Sequence, residues 1–187
     1  MRVLGVNGIR TDGSTSTDLI LGRLSDLGYK TQDFNYPQVG IFSPRFKDTQ
    51  YEIAQKLMDM HIEGDNVVAH SFGCLVTLRA MELGAKFNNV FFFSPAMNPD
   101  FVIPKGGCNK LYVIHYPEDI AILLGSLLFF HDFGKMGRVG YKGPEDSRVH
   151  NIRAKPKEKE FWNHSHYFIG SNLKKWVNFI DNKILKG

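Results

Sequence analysis

Short apolar runs alternate with longer amphipathic stretches along almost the whole chain. The runs of strand length cover residues 3–6, 29–36, 66–69, 90–93 and 111–114, with 148–152 as a candidate last strand. Stretches with apolar side chains at helical spacing follow them, at about residues 19–27, 48–62, 72–83, 120–130 and 173–184. Strands and helices that alternate in this way predict an α/β fold, a mostly parallel sheet with helices on both faces.

Polar residues and glycines set the expected ends of these elements. Asp48 is the predicted N-cap of the second helix, and Gly28, Gly64 and Gly84 are the predicted stops of the first three helices. The buried face of the first helix is expected to carry Leu19, Ile20, Leu24 and Leu27. The glycine-rich stretch at 134–143 predicts a loop.

The length and composition limit the class of protein. The 187 residues are 43% hydrophobic and 22% charged, so we expect one domain over residues 1–187, and intrinsic disorder is excluded. The longest nearly apolar run, 120–130, is shorter than the roughly 18 to 20 residues of a membrane span. The N-terminal apolar run is too short for a signal peptide. We therefore expect a cytoplasmic protein without stable membrane insertion.

The cysteines and the charge pattern argue against a disulfide- or metal-stabilised fold and against a nucleic-acid-binding protein. Cys74 and Cys108 form no CxxC pair and have no histidines at zinc-ligand spacing, so neither disulfides nor a structural metal is expected to hold the fold. The net charge is +4, and Glu158 and Glu160 are interleaved with the basic residues late in the chain. This pattern favours a solvated surface, and no nucleic-acid partner is expected.

The segment 67–74, Val-Val-Ala-His-Ser-Phe-Gly-Cys, is the most informative stretch of the chain. A β-branched strand meets a helix there across a turn with Ser71 at its tip, and two small residues, Ala69 and Gly73, lie two positions before and after the serine. This spacing lets strand and helix pack closely around a strained turn that exposes the serine hydroxyl. Ser71 is therefore a candidate nucleophile; the alternative is a serine that only caps the helix.

A serine nucleophile needs a base, and the base needs a carboxylate to orient it. Asp119 follows the strand predicted at 111–114 by a few turn residues, which would bring it to the same sheet edge as Ser71; Glu118 is its alternative. His164 lies in a loop before the last helix, and His166 competes with it, because no periodicity separates the two. The chain order of serine, aspartate and histidine is the order of one superfamily of hydrolases.

With these residues, essentially the whole chain resembles a small α/β-hydrolase with a minimal fold and little or no cap. The segment 164–168, His-Ser-His-Tyr-Phe, resembles the loop in which related hydrolases carry their catalytic histidine, which favours His164. The segment 119–122, Asp-Ile-Ala-Ile, resembles the family's aspartate followed by small apolar residues, which favours Asp119. The opening segment 6–9, Val-Asn-Gly-Ile, is similar to the family's His-Gly turn, with Asn7 where histidine is common.

The resemblance implies acyl transfer by a Ser71, His164 and Asp119 triad, with an oxyanion hole from the backbone N–H groups of Ile9 and Phe72. It implies no metal and no organic cofactor. The implied substrate is a small-molecule carboxylic ester or thioester.

Two further hypotheses accompany this interpretation. Residues 125–130 could form an apolar wall for the acyl group, and residues 134–143 a flap over it. A competing hypothesis is a non-catalytic binding or regulatory protein on the same scaffold, since a fold does not determine function. The departures from the family pattern at Asn7 and Ala69 motivate that alternative.

Overall fold

One six-stranded sheet organises the protein. The computed structural model describes residues 1–9, 17–36, 46–128, 133–159 and 163–186. The strands are β1 (Arg2–Val6), β2 (Lys30–Phe34), β3 (Asp65–His70), β4 (Phe87–Phe93), β5 (Cys108–His115) and β6 (Val149–Arg153). Their order in the sheet is β2-β1-β3-β4-β5-β6, and every neighbouring pair is parallel. The predicted α/β class with a parallel sheet is confirmed.

Helices cover both faces of this sheet. They are α1 (Thr17–Asp26), α2 (Lys47–Met60), α3 (Phe72–Glu82), α4 (Ile120–Leu128), α5 (Met136–Val139), a 3₁₀ turn (His166–Phe168) and α6 (Gly170–Lys186). Apolar side chains of α2 and α3 pack in a cluster on one face, and those of α1 and α6 pack on the other. Within the described ranges, no helix is long and apolar enough to cross a membrane.

The central strands are apolar throughout because both of their faces are covered. In β3, Val67 and Ala69 belong to the cluster under α2 and α3, while Val68 belongs to the cluster under α1 and α6. In β4, Phe92 belongs to the cluster under α2 and α3, and Phe91 belongs to the cluster under α1 and α6. Strand side chains alternate between faces, so a continuous apolar run supplies both cores.

Two local predictions are wrong. Asp48 is not the N-cap of α2: the helix begins at Lys47 with Phe46 at the N-cap position, and Asp48 lies in the first turn, where a negative charge still favours the helix dipole. Leu27 is not on the buried face of α1, because the helix ends at Asp26 and the Leu27 side chain is 54% exposed.

Part of the loop predicted at 134–143 is the short helix α5. Its Met136 N–H donates to the carbonyl of Met97 at 3.0 Å, and its Gly137 N–H donates to that of Pro95 at 2.9 Å. These bonds tie α5 to the chain that follows β4. The predicted fourth helix is present as far as Leu128, and residues 129–130 lie outside the described residues.

The strand order creates a crevice at the carboxyl edge of the sheet. From β1 the chain goes to β2 on one side, and then to β3 on the other side of β1. Connections that leave in opposite directions open a crevice beyond the strand ends, which is where open α/β sheets bind ligands. Gly8 and Ile9 follow β1 and Ser71 follows β3, so both predicted parts of the site lie at this crevice.

Candidate active site

Ser71 occupies a strained turn between β3 and α3. Its backbone has φ 55° and ψ −121°, a region that residues with a Cβ rarely adopt. The turn is tied down on both sides: the Ser71 N–H donates to the carbonyl of Phe93 at 3.0 Å, and the Ser71 carbonyl accepts from the N–H groups of Cys74 and Ala96, each at 3.2 Å. Ser71 is therefore held in the geometry expected of a nucleophile elbow, and it makes no side-chain hydrogen bond as an N-cap of α3.

The two small residues around Ser71 have different neighbours. A methyl group on Gly73 would lie 2.5 Å from the backbone oxygen of Asn7 and 2.8 Å from the carbonyl carbon of Val6, so only glycine lets α3 approach the end of β1 this closely. Ala69 is fully buried within the sheet, paired with Val6 on one side and Phe92 on the other. The alanine that departs from the family's usual glycine is accommodated there as core.

The turn after β1 lies against the candidate nucleophile. A Cβ on Gly8 would be 3.0 Å from the Cβ of Ser71. The Tyr36 hydroxyl donates to the carbonyls of Asn7 at 2.7 Å and Gly8 at 3.0 Å, which fixes the turn from outside. Burial raises the pKa of Tyr36, so its hydroxyl remains a donor. Ile9, which follows this turn, lines the same cavity as Ser71.

The side chain of Asn7 has a structural role. Its Oδ1 accepts from the N–H of Thr17 at 3.0 Å and from the Thr17 hydroxyl at 2.7 Å, at the start of α1. Its Nδ2 donates to the carboxylate of Asp33 at 3.2 Å. Burial, with a smaller contribution from the charge of Asp18, raises the pKa of Asp33. The residue at the family's histidine position thus ties β1 to α1 and β2.

Asp119 lies in the turn between β5 and α4 and is fully buried. Its Oδ1 accepts from the backbone N–H of Ile122 at 2.9 Å. Its Oδ2 accepts from Nδ1 of His164 at 2.8 Å and from Oγ of Ser94 at 2.6 Å. A buried carboxylate needs such partners, and three donors supply them here.

The neighbouring acid, Glu118, is in a different environment. It is exposed, and its Oε2 is 2.8 Å from Nζ of Lys159. The hydrogen bond from Lys159 is the main reason that the pKa of Glu118 is lowered. Of these two acids, the structure brings Asp119, which the sequence favoured, to a histidine and Glu118 to a surface lysine.

Hydrogen bonds from two neighbouring segments of the chain help to hold the loop that carries His164. Asn163, with φ 54°, donates from Nδ2 to the carbonyl of Glu118 at 3.3 Å. The Nε2–H of His70 donates to the carbonyl of His164 at 3.2 Å, and the two imidazole rings are 4.5 Å apart. Burial, and secondly the proximity of His164, holds the pKa of His70 well below its ordinary value. His70 is thus a neutral, hydrogen-bonded support beneath the loop.

His166 lies behind this loop and is fully buried. Its Nδ1–H donates to the carbonyl of Asn163 at 2.9 Å, and its ring contacts those of Tyr116 and Tyr167 at 4.9 and 3.9 Å. Of these two histidines, the structure brings His164, which the resemblance favoured, to the carboxylate of Asp119 and packs His166 under the loop.

A cavity of about 110 Å³ joins Ser71 and His164. The rest of its lining is small or apolar and consists of Ile9, Ala96, Ala121, Ile122, Gly125, Ser126, Phe133 and Gly134. Part of the predicted acyl-pocket wall, Gly125 and Ser126, is therefore at the site. A larger groove of about 430 Å³ lies between α1 and α6, but no candidate catalytic residue lines it.

Two residues at the site, Ser94 and Tyr167, were not predicted from the sequence. Ser94 follows β4 directly, and its hydroxyl contacts Asp119; Tyr167 contacts the hydroxyl of Ser94 at 2.9 Å. The sequence did carry a signal for Ser94: the residue directly follows a predicted central strand, and the carboxyl ends of parallel strands lie at the same edge of the sheet as the candidate nucleophile. The position of Tyr167 within the core was not visible from its neighbours in the sequence.

Solved structures with a similar architecture include the α/β-hydrolase domain-containing protein 10 from mouse and a protein of the α/β-hydrolase superfamily from Xanthomonas campestris pv. campestris. The mouse protein aligns with a TM-score of 0.63 at 11% identity, over 99% of this chain and 90% of its own. The bacterial protein aligns with a TM-score of 0.53 at 10% identity, over 97% and 98%. No protein-family model and no curated protein sequence matches significantly. The chain has the α/β-hydrolase fold, as its motifs predicted.

Proposed function

We propose that this protein is a serine hydrolase that cleaves small carboxylic esters or thioesters through an acyl-enzyme. The observation that carries the proposal is the contact of 2.8 Å between Nδ1 of His164 and Oδ2 of Asp119. The same histidine lines one cavity together with Ser71. A carboxylate on one imidazole nitrogen orients the ring and leaves the other nitrogen for proton transfer. The strained backbone of Ser71 supports the same role.

In the first half-reaction, Oγ of Ser71 attacks the substrate carbonyl carbon while Nε2 of His164 takes the hydroxyl proton. Asp119 stabilises the imidazolium that forms. Negative charge develops on the carbonyl oxygen, and the backbone N–H groups of Ile9 and Phe72 are the proposed donors to it. Phe72 is the first residue of α3, and N–H groups in the first turn of a helix have no carbonyl partner within the helix.

The first half-reaction ends when the leaving group departs with the proton from His164 and leaves the acyl group on Ser71; the second half-reaction is the hydrolysis of this acyl-enzyme. A water molecule then gives a proton to His164 as it attacks the acyl carbon. Collapse of the second tetrahedral intermediate releases the carboxylic acid and returns the proton to Ser71.

The size of the cavity supports a short acyl group. Pockets for drug-sized ligands enclose roughly 300–1,000 Å³, whereas the cavity at Ser71 encloses about 110 Å³. The side chains of Ala96, Ala121 and Ile122 give it apolar walls. We expect turnover of p-nitrophenyl acetate and butyrate to exceed that of the octanoate and laurate esters.

A fluorophosphonate probe tests the nucleophile without knowledge of the natural substrate. We expect stoichiometric labelling at Ser71, located by mass spectrometry, and loss of both labelling and ester turnover by about 10³-fold or more in Ser71→Ala. Ser126→Ala is the matched control, because Ser126 lines the same cavity but donates its hydroxyl to the carbonyl of Leu123 at 2.8 Å. A folded protein that is not labelled would overturn the proposal and favour a binding protein on this scaffold.

A further inference from the structure

Three non-glycine residues in the described part of the chain have a positive φ, and each of them belongs to the candidate triad or lies next to it. They are Ser71 at 55°, Ser94 at 44° and Asn163 at 54°. Such conformations cost energy and persist only where the surroundings impose them, and they concentrate at functional sites. Ser71 is the candidate nucleophile and Asn163 precedes the candidate base. The proposed acyl-transfer steps assign no role to the conformation of Ser94.

The hydroxyl of Ser94 lies between two other buried polar groups. It is 2.6 Å from Oδ2 of Asp119 and 2.9 Å from the hydroxyl of Tyr167. Ser94, Asp119 and Tyr167 are each fully buried. An ionised carboxylate only accepts hydrogen bonds, and a serine hydroxyl has one proton to donate. Ser94 therefore donates to Asp119 and accepts from Tyr167.

We propose that Ser94 and Tyr167 are positioning residues, a chain of two donors that holds the carboxylate of Asp119 in the plane that faces Nδ1 of His164. The proposal rests on the hydrolase function proposed above. The N–H of Ile122 fixes Oδ1 and the hydroxyl of Ser94 fixes Oδ2, so the carboxylate cannot rotate about its Cβ–Cγ bond without losing one of them. Burial raises the pKa of Tyr167 well above its ordinary value, so the phenol stays protonated and stays a donor.

The turn at Ser94 is clamped in a way that keeps its hydroxyl on Asp119. The Ser94 N–H continues the ladder of β4 by donating to the carbonyl of Ile114 at 3.0 Å. On the other side, Gly137 of α5 approaches so closely that a Cβ there would be 2.8 Å from the carbonyl carbon of Ser94. Tyr167 is fixed by its ring contacts with Phe93 and Trp176, at 5.3 and 6.0 Å between centroids.

The test removes each hydroxyl separately and then both. Ser94→Gly removes the hydroxyl and also relieves the strain of a positive φ, so it guards against the possibility that Ser94→Ala fails to fold. Tyr167→Phe removes the second donor and keeps the ring. Tyr29→Phe is the matched control, because its hydroxyl also donates to a carboxylate, Oδ1 of Asp181 at 2.7 Å, but Tyr29 precedes β2 at the opposite edge of the sheet.

The readouts are the rate constant for fluorophosphonate labelling of Ser71, kcat and KM for a short ester, and the downfield NMR proton of a histidine Nδ1–H bound to a carboxylate. We expect both Ser94 variants to lose about 10- to 100-fold in labelling rate and kcat with KM unchanged, as when an orienting partner is removed from a metal-bound histidine. Tyr167→Phe should lose about two- to tenfold, the effect of one hydrogen bond. The double variant, Ser94→Gly with Tyr167→Phe, should lose no more labelling rate or kcat than Ser94→Gly alone, because Tyr167 acts through Ser94.

Loss of the downfield proton in both Ser94 variants, with Tyr29→Phe equal to wild type, would support the proposal. If a folded Ser94→Gly protein labels at the wild-type rate and retains the downfield proton, the positioning role is wrong while the hydrolase proposal stands. If the losses of the two single variants add in the double variant, Tyr167 does not act on Asp119 through Ser94, and the proposed chain of donors is wrong. If wild-type Ser71 is not labelled, the proposed function itself fails, whatever the Ser94 variants do.

Discussion

Replacing Gly73 with alanine tests whether the close approach of α3 to β1 builds the candidate site. A methyl group at this position would lie 2.5 Å from the backbone oxygen of Asn7 and 2.8 Å from the backbone carbon of Val6. Ordinary van der Waals contacts begin at about 3.4 Å. The backbone oxygen of Val6 would lie closer still. Because all three obstacles are backbone atoms, the end of β1 and the start of α3 must separate by about 1 Å, as in other overpacked cores.

This separation should affect both stability and reactivity. Overpacking typically lowers the free energy of unfolding by about 1–3 kcal/mol, and we expect that loss for Gly73→Ala. The two proposed oxyanion donors lie on the two segments that separate, Ile9 after β1 and Phe72 at the start of α3. A misplacement of about 1 Å at a reacting centre can cost about 10²-fold in rate, so we expect labelling of Ser71 to slow by a similar factor.

Urea unfolding and stopped-flow labelling measure the two effects. Gly22→Ala is the matched control, because Gly22 is also inside a helix and a Cβ there would meet nothing within 4 Å. We expect this variant to raise the free energy of unfolding by about 0.5–1 kcal/mol, the usual preference of a helix for alanine. A Gly73→Ala protein as stable and as reactive as wild type would refute the argument that the close approach builds the site.

Three further predictions concern individual histidines and cysteines. His164→Gln should slow labelling of Ser71 by about 10³-fold or more with little change in unfolding free energy, whereas His166→Gln should mainly destabilise the protein; the reverse pattern in labelling and urea unfolding would exchange their roles. His70 and His115 have a pKa lowered first of all by burial, so the unfolded chain binds more protons below about pH 6.5 and stability should fall as the pH falls through that value. Unfolding measured from pH 8 to 5 checks this, and His70→Gln should flatten the slope. Both cysteine thiols are buried with raised pKa values, so iodoacetamide should modify them only after unfolding, as mass spectrometry would report.

How far the sequence can lead depends on whether a feature is local. The elbow at Ser71 was predicted because a strand, a turn and a helix that follow one another leave their pattern in consecutive residues. The end of α1 was predicted less well: Leu27 continues the apolar spacing of Leu24, but the chain leaves the helix at Asp26. The spacing of apolar residues shows which side chains could share one face of a helix, but it does not show at which residue the backbone hydrogen bonds of the helix end.

The tertiary structure decided what depends on contacts between distant segments. His164 and His166 are two residues apart in one loop, and only the packing of that loop on Tyr116, Tyr167 and Asp119 determines which ring meets the carboxylate. Ser94 and Tyr167 are 73 residues apart, so no local pattern could join them.

By itself, the sequence determined the succession of strands and long helices along the chain, the parallel α/β class and the strained serine turn, since periodicity and turn chemistry act over a few neighbouring residues. The tertiary structure brought His164, which only a family resemblance had favoured over His166, to Asp119, and it alone decided which other polar groups surround that carboxylate and which side chains line the cavity beside Ser71. The physical reason is that a buried charge is satisfied by whichever donors the packing of the whole chain brings within hydrogen-bond distance, and the sequence records those donors without recording their distances.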